Sequence, residues 1–319
     1  MAEQQERKSD LISCFEYLAT EARDLYLSEK VPVIDKAPSA LTFHRRWVTS
    51  NRPVIIKNAV TKWPALEIWN LNYLRETLKQ KMVSVAVTPN GLADAVVENQ
   101  FVLPEEKQMK FCDFVACLEN QEENRGIYYI QKQNSNLTLE FPELLEDVAG
   151  EIPWASEAFD KKPDAVNLWI GSKESVSSMH KDHFENLYVV ITGVKHFILH
   201  PPTDQPFIPY EMYPVASYKE TYPGEFKVEP NETGDKVKWI PVDPLKPDLG
   251  KWPLYGKARP IHCSLHPGEM LYLPSMWYHH VRQGEGTIAV NYWYDMEFDI
   301  KFNYFQFVEK LLSTVNDDR

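Results

Sequence analysis

Two segments far apart in the chain hold the residues best able to do chemistry: Met179-His180-Lys181-Asp182 and Leu273-Pro274-Ser275-Met276-Trp277-Tyr278-His279-His280-Val281. Between them they offer two imidazoles and one carboxylate to a single metal. Such a facial triad suits non-haem iron(II) and leaves coordination positions open for a cosubstrate and dioxygen. On a strand His180 and Asp182 share one face while Lys181 takes the other, so one element supplies two ligands. The third must arrive from a neighbouring strand. Alternation groups Trp277 with His279 and Tyr278 with His280, and does not by itself choose the inward pair. His183, His196, His200, His262 and His266 read as structural. An HxD pair alone is common by chance; the LPxxWxH segment in a β-rich context makes it informative.

Lys195 is a second signal. It opens an otherwise apolar run, 195–199, just after Thr192-Gly193, where glycine supports a tight turn. The pattern predicts a hairpin over 186–199 that sets Lys195 on the strand paired with the one following the HxD. An ammonium buried without a counter-charge is costly. Lys195 therefore either faces outward or meets the distal carboxylate of a dicarboxylate cosubstrate.

Stepping outward to the elements, apolar positions Leu11, Cys14, Leu18, Ala22 and Leu25 predict an amphipathic helix over 9–27. Ser39 is a candidate cap for a short helix through Phe43 and Trp47, followed by a strand at 54–56. A strand at 83–87, a helix at 110–119, and strands at 128–131, 166–170, 186–191, 195–199, 268–273, 279–282 and 287–294 complete a β-rich barrel or sandwich. Between Pro201 and Pro267 lie 13 of the 23 prolines. That density keeps the segment out of central strands and predicts a long ordered insertion. Residues 298–315 form an amphipathic helix.

The chain has 319 residues, 44% of them hydrophobic and 13% aromatic, enough to bury one large domain. A net charge of -12 argues against nucleic-acid or anionic-membrane partners and favours a basic one. Four cysteines with no CxxC pair suit free thiols in a reducing compartment. No run reaches the length of a membrane span. The expected location is the cytosol, with the nucleus as a second compartment.

The segments HKDHFENLYVVITGVKHFILHPP, GEMLYLPSMWYHHV and IAVNYWYD, with the upstream RPVIIKNAVTKWPALEIWNLNYL, resemble the core of the jumonji-C (JmjC) oxygenases, in their small hydroxylase branch. VSVAVTPNGLADAV, YYIQKQNSNL and PYEMYPVASY extend the resemblance to a lysyl-hydroxylase member over nearly the full chain. The resemblance implies a mainly β fold with flanking helices, the double-stranded β-helix or cupin-like jelly roll. It divides the chain into an N-terminal helical and mixed α/β extension packing on the barrel (1–125), the barrel with its proline-rich insertion at 201–267 (126–297), and a C-terminal helix (298–319).

It further implies iron(II) held by His180, Asp182 and His279, with 2-oxoglutarate and dioxygen as cosubstrates. Lys195 would pair with the distal carboxylate of 2-oxoglutarate, assisted by Ser177 and Tyr129; family members often carry threonine where Ser177 stands. Asn186 and Asn291 would lie near the cosubstrate and metal, and Trp293 would line the pocket. The implied reaction is 3-hydroxylation of a lysine, to the 3S product, in developmentally regulated GTP-binding proteins, by a homodimer joined through its C-terminal helix. Histone demethylation, metal-dependent cleavage of histone tails and a non-catalytic cupin-like scaffold are the alternatives, although no HExxH arrangement is present. Asp94 and Glu185 are candidate acids for the substrate ammonium.

Overall fold

The protein is described from a computed structural model, which covers residues 2–120 and 126–316. The ends of the expected 1–125 and 298–319 segments therefore lie outside the described residues. In chain order the strands are β1 (Val33–Ile34), β2 (Val54–Ile56), β3 (Met82–Thr88), β4 (Leu92–Ala93), β5 (Ala95–Val97), β6 (Gln100–Leu103), β7 (Glu105–Lys110), β8 (Ile127–Ile130), β9 (Ala165–Gly171), β10 (Val176–Lys181), β11 (Phe184–Thr192) and β12 (Lys195–His200). The proline-rich segment contributes β13 (Glu211–Tyr222), β14 (Glu225–Pro230) and β15 (Lys236–Trp239). It also contributes β16 (Ile261–Leu265), after which come β17 (Met270–Leu273), β18 (Tyr278–Gln283) and β19 (Thr287–Asp295).

Eight of these strands alternate between two facing sheets. β9, β11, β17 and β19 lie together in a nine-stranded sheet ordered β1-β2-β17-β11-β19-β9-β8-β3-β7, while β10, β12, β16 and β18 form the second sheet with β4. Each successive strand of the 165–200 and 261–295 stretches crosses to the opposite sheet, which is the double-stranded β-helix expected from the sequence. The larger sheet continues without a break into β1, β2, β3 and β7, so residues before 126 extend the barrel wall as well as covering it.

The central strands of the larger sheet, β17, β11, β19 and β9, are buried on both faces and accordingly read as near-continuous apolar runs. Leu187, Val189 and Ile191 of β11 and Ile288, Val290, Tyr292 and Tyr294 of β19 pack outward under helices, against Phe43, Trp47, Phe111 and Phe141. The alternate residues Tyr188, Val190 and Ala289 face the barrel interior with Trp169, Phe197, Leu271, Leu273 and Trp277. Period-2 alternation thus sends one set of β11 and β19 side chains to the helices and the other to the cavity.

Three elements differ from the sequence expectation. The 186–199 segment is not a hairpin: β11 pairs with β17 and β19, whereas β12 pairs with β16 and β18. The tight turn at Gly193 (φ +81°) carries the chain from one sheet to the other, fixed by the Thr287 hydroxyl, which lies 3.3 Å from Val194 N and 3.2 Å from Val194 O. A Cβ at Gly193 would come within 2.9 Å of the Thr287 backbone. The N-terminal helix Ala2–Leu25 buries Phe15 and Ala22, while Cys14, Leu18 and Leu25 are exposed. Its packed stripe is Leu11-Phe15-Ala19-Ala22, one register away from the predicted one. The proline-rich segment is ordered as expected, yet it builds strands: β13 pairs with β6, β14 and β15 off the barrel, and β16 is a barrel strand in its own right.

Candidate metal centre

β10 and β18 lie antiparallel in the smaller sheet, with His180 opposite His279 and a register shift between Ser177 and His180. Asp182 follows the last residue of β10. Its carbonyl accepts the Met276 N–H at 2.9 Å, tying the Asp182 corner to the turn that leads into β18. Met276 takes a left-handed backbone there (φ 67°), and the Trp277 indole N–H anchors the turn on Asn51 Oδ1 at 2.7 Å. The LPSMW segment is thus the brace that aims His279.

The three side chains converge. One ligand atom from each of His180, Asp182 and His279 lies within 4.8 Å of the other two. Asp182 Oδ2 stands 3.8 Å from His180 Nε2 and 3.5 Å from His279 Nε2 and has no hydrogen-bond partner among the described residues. His180 Nδ1 is 2.7 Å from the Ser178 carbonyl and His279 Nδ1 is 3.0 Å from the Trp277 carbonyl. A carbonyl only accepts, so each Nδ1 carries the proton and each Nε2 presents a lone pair, as a metal requires. Burial, and secondarily His180, push the His279 imidazole down to about 4, which keeps it neutral. His280 is buried on the other side of β18 and takes no part.

Lys195 lies on β12, beside Trp169 and Tyr188 of the cavity wall, with 1% of its surface exposed. Its ammonium donates to the Tyr129 hydroxyl at 2.9 Å and sits 5.3–5.9 Å from the rings of Tyr129, Trp169 and Tyr188. No carboxylate pairs with it among the described residues, and burial alone pushes it down to about 7. Ser177 hydrogen-bonds to Tyr129 from the metal strand. The third group lines the larger sheet: Asn291 Oδ1 accepts from Trp169 Nε1 at 2.7 Å and Asn167 Nδ2 at 3.3 Å, and Asn291 Nδ2 donates to Asn186 Oδ1 at 3.0 Å. Trp293 stacks on Phe184 at 5.0 Å and leaves its buried indole N–H unpartnered. Ser177, Asn186, Asn291 and Trp293 all line one cavity with the triad.

Residues 40–300 match the profile of the cupin-like domain family. The chain is 52% identical to the human bifunctional peptidase and (3S)-lysyl hydroxylase JMJD7, over 91% of this chain and 92% of that one. It is 43% identical to the Arabidopsis thaliana lysine-specific demethylase JMJ32 (93% and 91%), and 37% identical to the Dictyostelium discoideum JmjC domain-containing protein E (92% and 92%). The chain is a JmjC protein of the cupin-like family.

JmjC proteins use iron(II) and 2-oxoglutarate, and this JmjC chain's residues fit both groups. Two imidazoles whose Nδ1 atoms are engaged by backbone carbonyls, leaving Nε2 to face the centre, and an unbonded carboxylate oxygen form a complete N,N,O face. A buried ammonium lacking an anion suits the far carboxylate of 2-oxoglutarate. Sequence reasoning missed Asn167 and Trp169, which orient Asn291, and Trp239, which stacks on His180 at 6.2 Å with an interplanar angle of 11°. The asparagines at 167, 186 and 291 were findable as polar residues inside apolar strands. Trp239 lies in the insertion and carries no sequence signal for the site.

Proposed function

We propose that this protein is an iron(II)- and 2-oxoglutarate-dependent peptidyl-lysine 3-hydroxylase. The observation that carries the chemistry is a metal-ready triad in a cavity walled by Trp169 and Tyr188, whose rings flank a buried ammonium with no anion among the described residues. His180, Asp182 and His279 would hold the iron. Lys195, Tyr129 and Ser177 would bind the distal carboxylate of 2-oxoglutarate. When bound, iron and 2-oxoglutarate supply the oxidising power that places one oxygen atom of dioxygen in a substrate C–H bond and leaves succinate and carbon dioxide. The chain's own work is to orient: backbone carbonyls hold the two imidazoles, and the Asn186–Asn291–Trp169 hydrogen bonds fix the opposite wall. Trp293, stacked on Phe184, lines the cavity.

The substrate class is supported by the likeness to the human lysyl hydroxylase, and we assign a lysine of developmentally regulated GTP-binding proteins, converted to the 3S product. The net charge of -12 agrees with a basic target. The reading includes a homodimer through the C-terminal helix Ile300–Asn316, supported by exposed Phe298, Ile300, Tyr304 and Phe307, and a cytosolic location extending to the nucleus. Intact-mass analysis of a lysine peptide from such a GTP-binding protein, incubated with iron(II) and 2-oxoglutarate, tests the activity. A gain of one oxygen matched by succinate is expected. Loss of methyl groups or cleavage would move the protein to the demethylase or peptidase activity that its relatives' names carry; an unchanged peptide would favour a non-catalytic scaffold. Light scattering of a Tyr304→Asp, Phe307→Asp variant tests the dimer, and an unchanged oligomer refutes it.

A further inference from the structure

β4 runs parallel to the metal strand, with Leu92 opposite Val176 and Ala93 opposite Ser177. The next residue is Asp94, which takes a left-handed backbone (φ 54°). That conformation costs a non-glycine residue free energy and needs something to hold it. The Ser178 hydroxyl does so, donating to the Asp94 carbonyl at 2.6 Å. The same hydroxyl oxygen lies 3.3 Å from Trp239 Nε1, and Trp239 stacks on His180. Asp94 and Trp239 are therefore braced on one residue of the metal strand, two positions before the ligand His180.

The acids around this region differ in what they have left to offer. Glu185 is buried and saturated, accepting from the Tyr272 hydroxyl (2.7 Å), Ser275 N (3.2 Å) and the Ser275 hydroxyl (2.8 Å). Glu106 accepts from Ser84, and Glu105 and Glu220 pair with Lys107. The Asp94 carboxylate has no hydrogen bond and no ion pair among the described residues, although it is half-buried. Burial holds its carboxyl above the usual range, opposed by His180 and assisted by Glu106. A half-buried carboxylate without donors among the described residues, on a residue that shares the Ser178 hydroxyl with the indole stacked on His180, is complete only when a cation arrives.

We infer that Asp94, with Trp239 beside it, receives the ammonium of the target lysine and sets selectivity for an unmodified, cationic side chain. This deepens the hydroxylase reading above and rests on it for the identity of the side chain. Glu185, the other acid suggested by the sequence, is excluded by its saturated hydrogen bonds.

The test uses the full chain loaded with Mn(II) and 2-oxoglutarate, and two probes: Nα-acetyl-lysine methylamide and its Nε-acetylated counterpart. Mn(II) broadens the NMR lines of a probe whose side chain enters the cavity, so binding is read without turnover. The cationic probe is expected to bind the wild-type protein about tenfold more tightly than the acetylated one. Asp94→Asn keeps the size of the side chain and tolerates the left-handed backbone. It should weaken the cationic probe about tenfold and leave the acetylated probe and 2-oxoglutarate unchanged; Asp94→Glu should restore part of the loss. Equal binding of the cationic probe by the wild type and Asp94→Asn, or no broadening in either, overturns the assignment. Failure of the peptide to gain oxygen while the Asp94-dependent preference persists would refute the hydroxylase reading and leave the cation site standing.

Discussion

At the metal end each imidazole is oriented by the carbonyl two positions earlier in the chain, Ser178 for His180 and Trp277 for His279. At the other end Lys195 is oriented by the Tyr129 hydroxyl, from the opposite sheet, and by the rings of Tyr129, Trp169 and Tyr188. The first end is built from local geometry, and its one carboxylate, Asp182, is partly exposed. The second end buries an amine that burial holds near 7, and its charged form has no counter-ion among the described residues. The contrast implies that metal binding costs the fold little, whereas the cosubstrate pocket is maintained against the fold's own stability.

The largest effects that would expose this contrast are expected at the triad. His180→Ala or Asp182→Ala should lower turnover by about a hundredfold or more and abolish Mn(II) binding, since removing a ligand costs more than removing its support. Both side chains are partly exposed, so the melting temperature should move by less than about 4 °C. A collapse of the fold in either variant would show that the metal end is structural after all.

Lys195→Met should raise the 2-oxoglutarate requirement about 10- to 100-fold, the equivalent of a lost charged hydrogen bond. In the absence of cosubstrate the same variant should be more stable than the wild type at pH 7, by about 1–3 kcal/mol. The pH dependence has a definite sign. The folded-state value near 7 lies below the unfolded value of about 10.4, so the unfolded chain binds more protons between them. The cosubstrate-free wild type should therefore gain stability as pH rises from about 7 to about 10, with this contribution level below about 7. Lys195→Met should flatten that slope, and so should saturating 2-oxoglutarate. A wild-type melting curve with no such slope would mean that the ammonium already has an anion.

What could be read in the sequence follows the same division. The His180–Asp182 pair and β11, β18 and β19 were legible because strand alternation and the HxD and LPxxWxH spacings are local, whereas the choice of His279 over His280 came from the family resemblance. Lys195 stood out as a charge inside an apolar run, but its route into the cavity did not: the turn at Gly193 resembles a hairpin turn, and only the distant Thr287 turns it into a crossing between sheets. Asp94 was a candidate acid from the sequence, but neither it nor Trp239 was visible as a neighbour of His180, because β4 meets β10 over only two residues and Trp239 arrives from β15, which pairs with β13. The N-terminal helix was misoriented by one register for a related reason. Its exposed Leu18 and Leu25 are as apolar as the buried Phe15, and docking of Arg23 on Asp204 and the Arg259 carbonyl helps select the face.

Smaller effects are expected one bond further from the ammonium. Tyr129→Phe removes the hydroxyl 2.9 Å from Lys195 Nζ and should raise the 2-oxoglutarate requirement about three- to tenfold at unchanged maximal rate. Ser177 acts on that hydroxyl from the metal strand. Ser177→Ala should cost about threefold in 2-oxoglutarate saturation, and Ser177→Thr, which keeps the hydroxyl, should stay within about twofold of the wild type. Mn(II) affinity should be the same in both, because the ring orientations of His180 and His279 depend on main-chain carbonyls that neither substitution removes. A drop in Mn(II) affinity on losing the Ser177 hydroxyl would mean that the metal end is held by the cosubstrate end, and the division between a locally built triad and a tertiary cation pocket would fail.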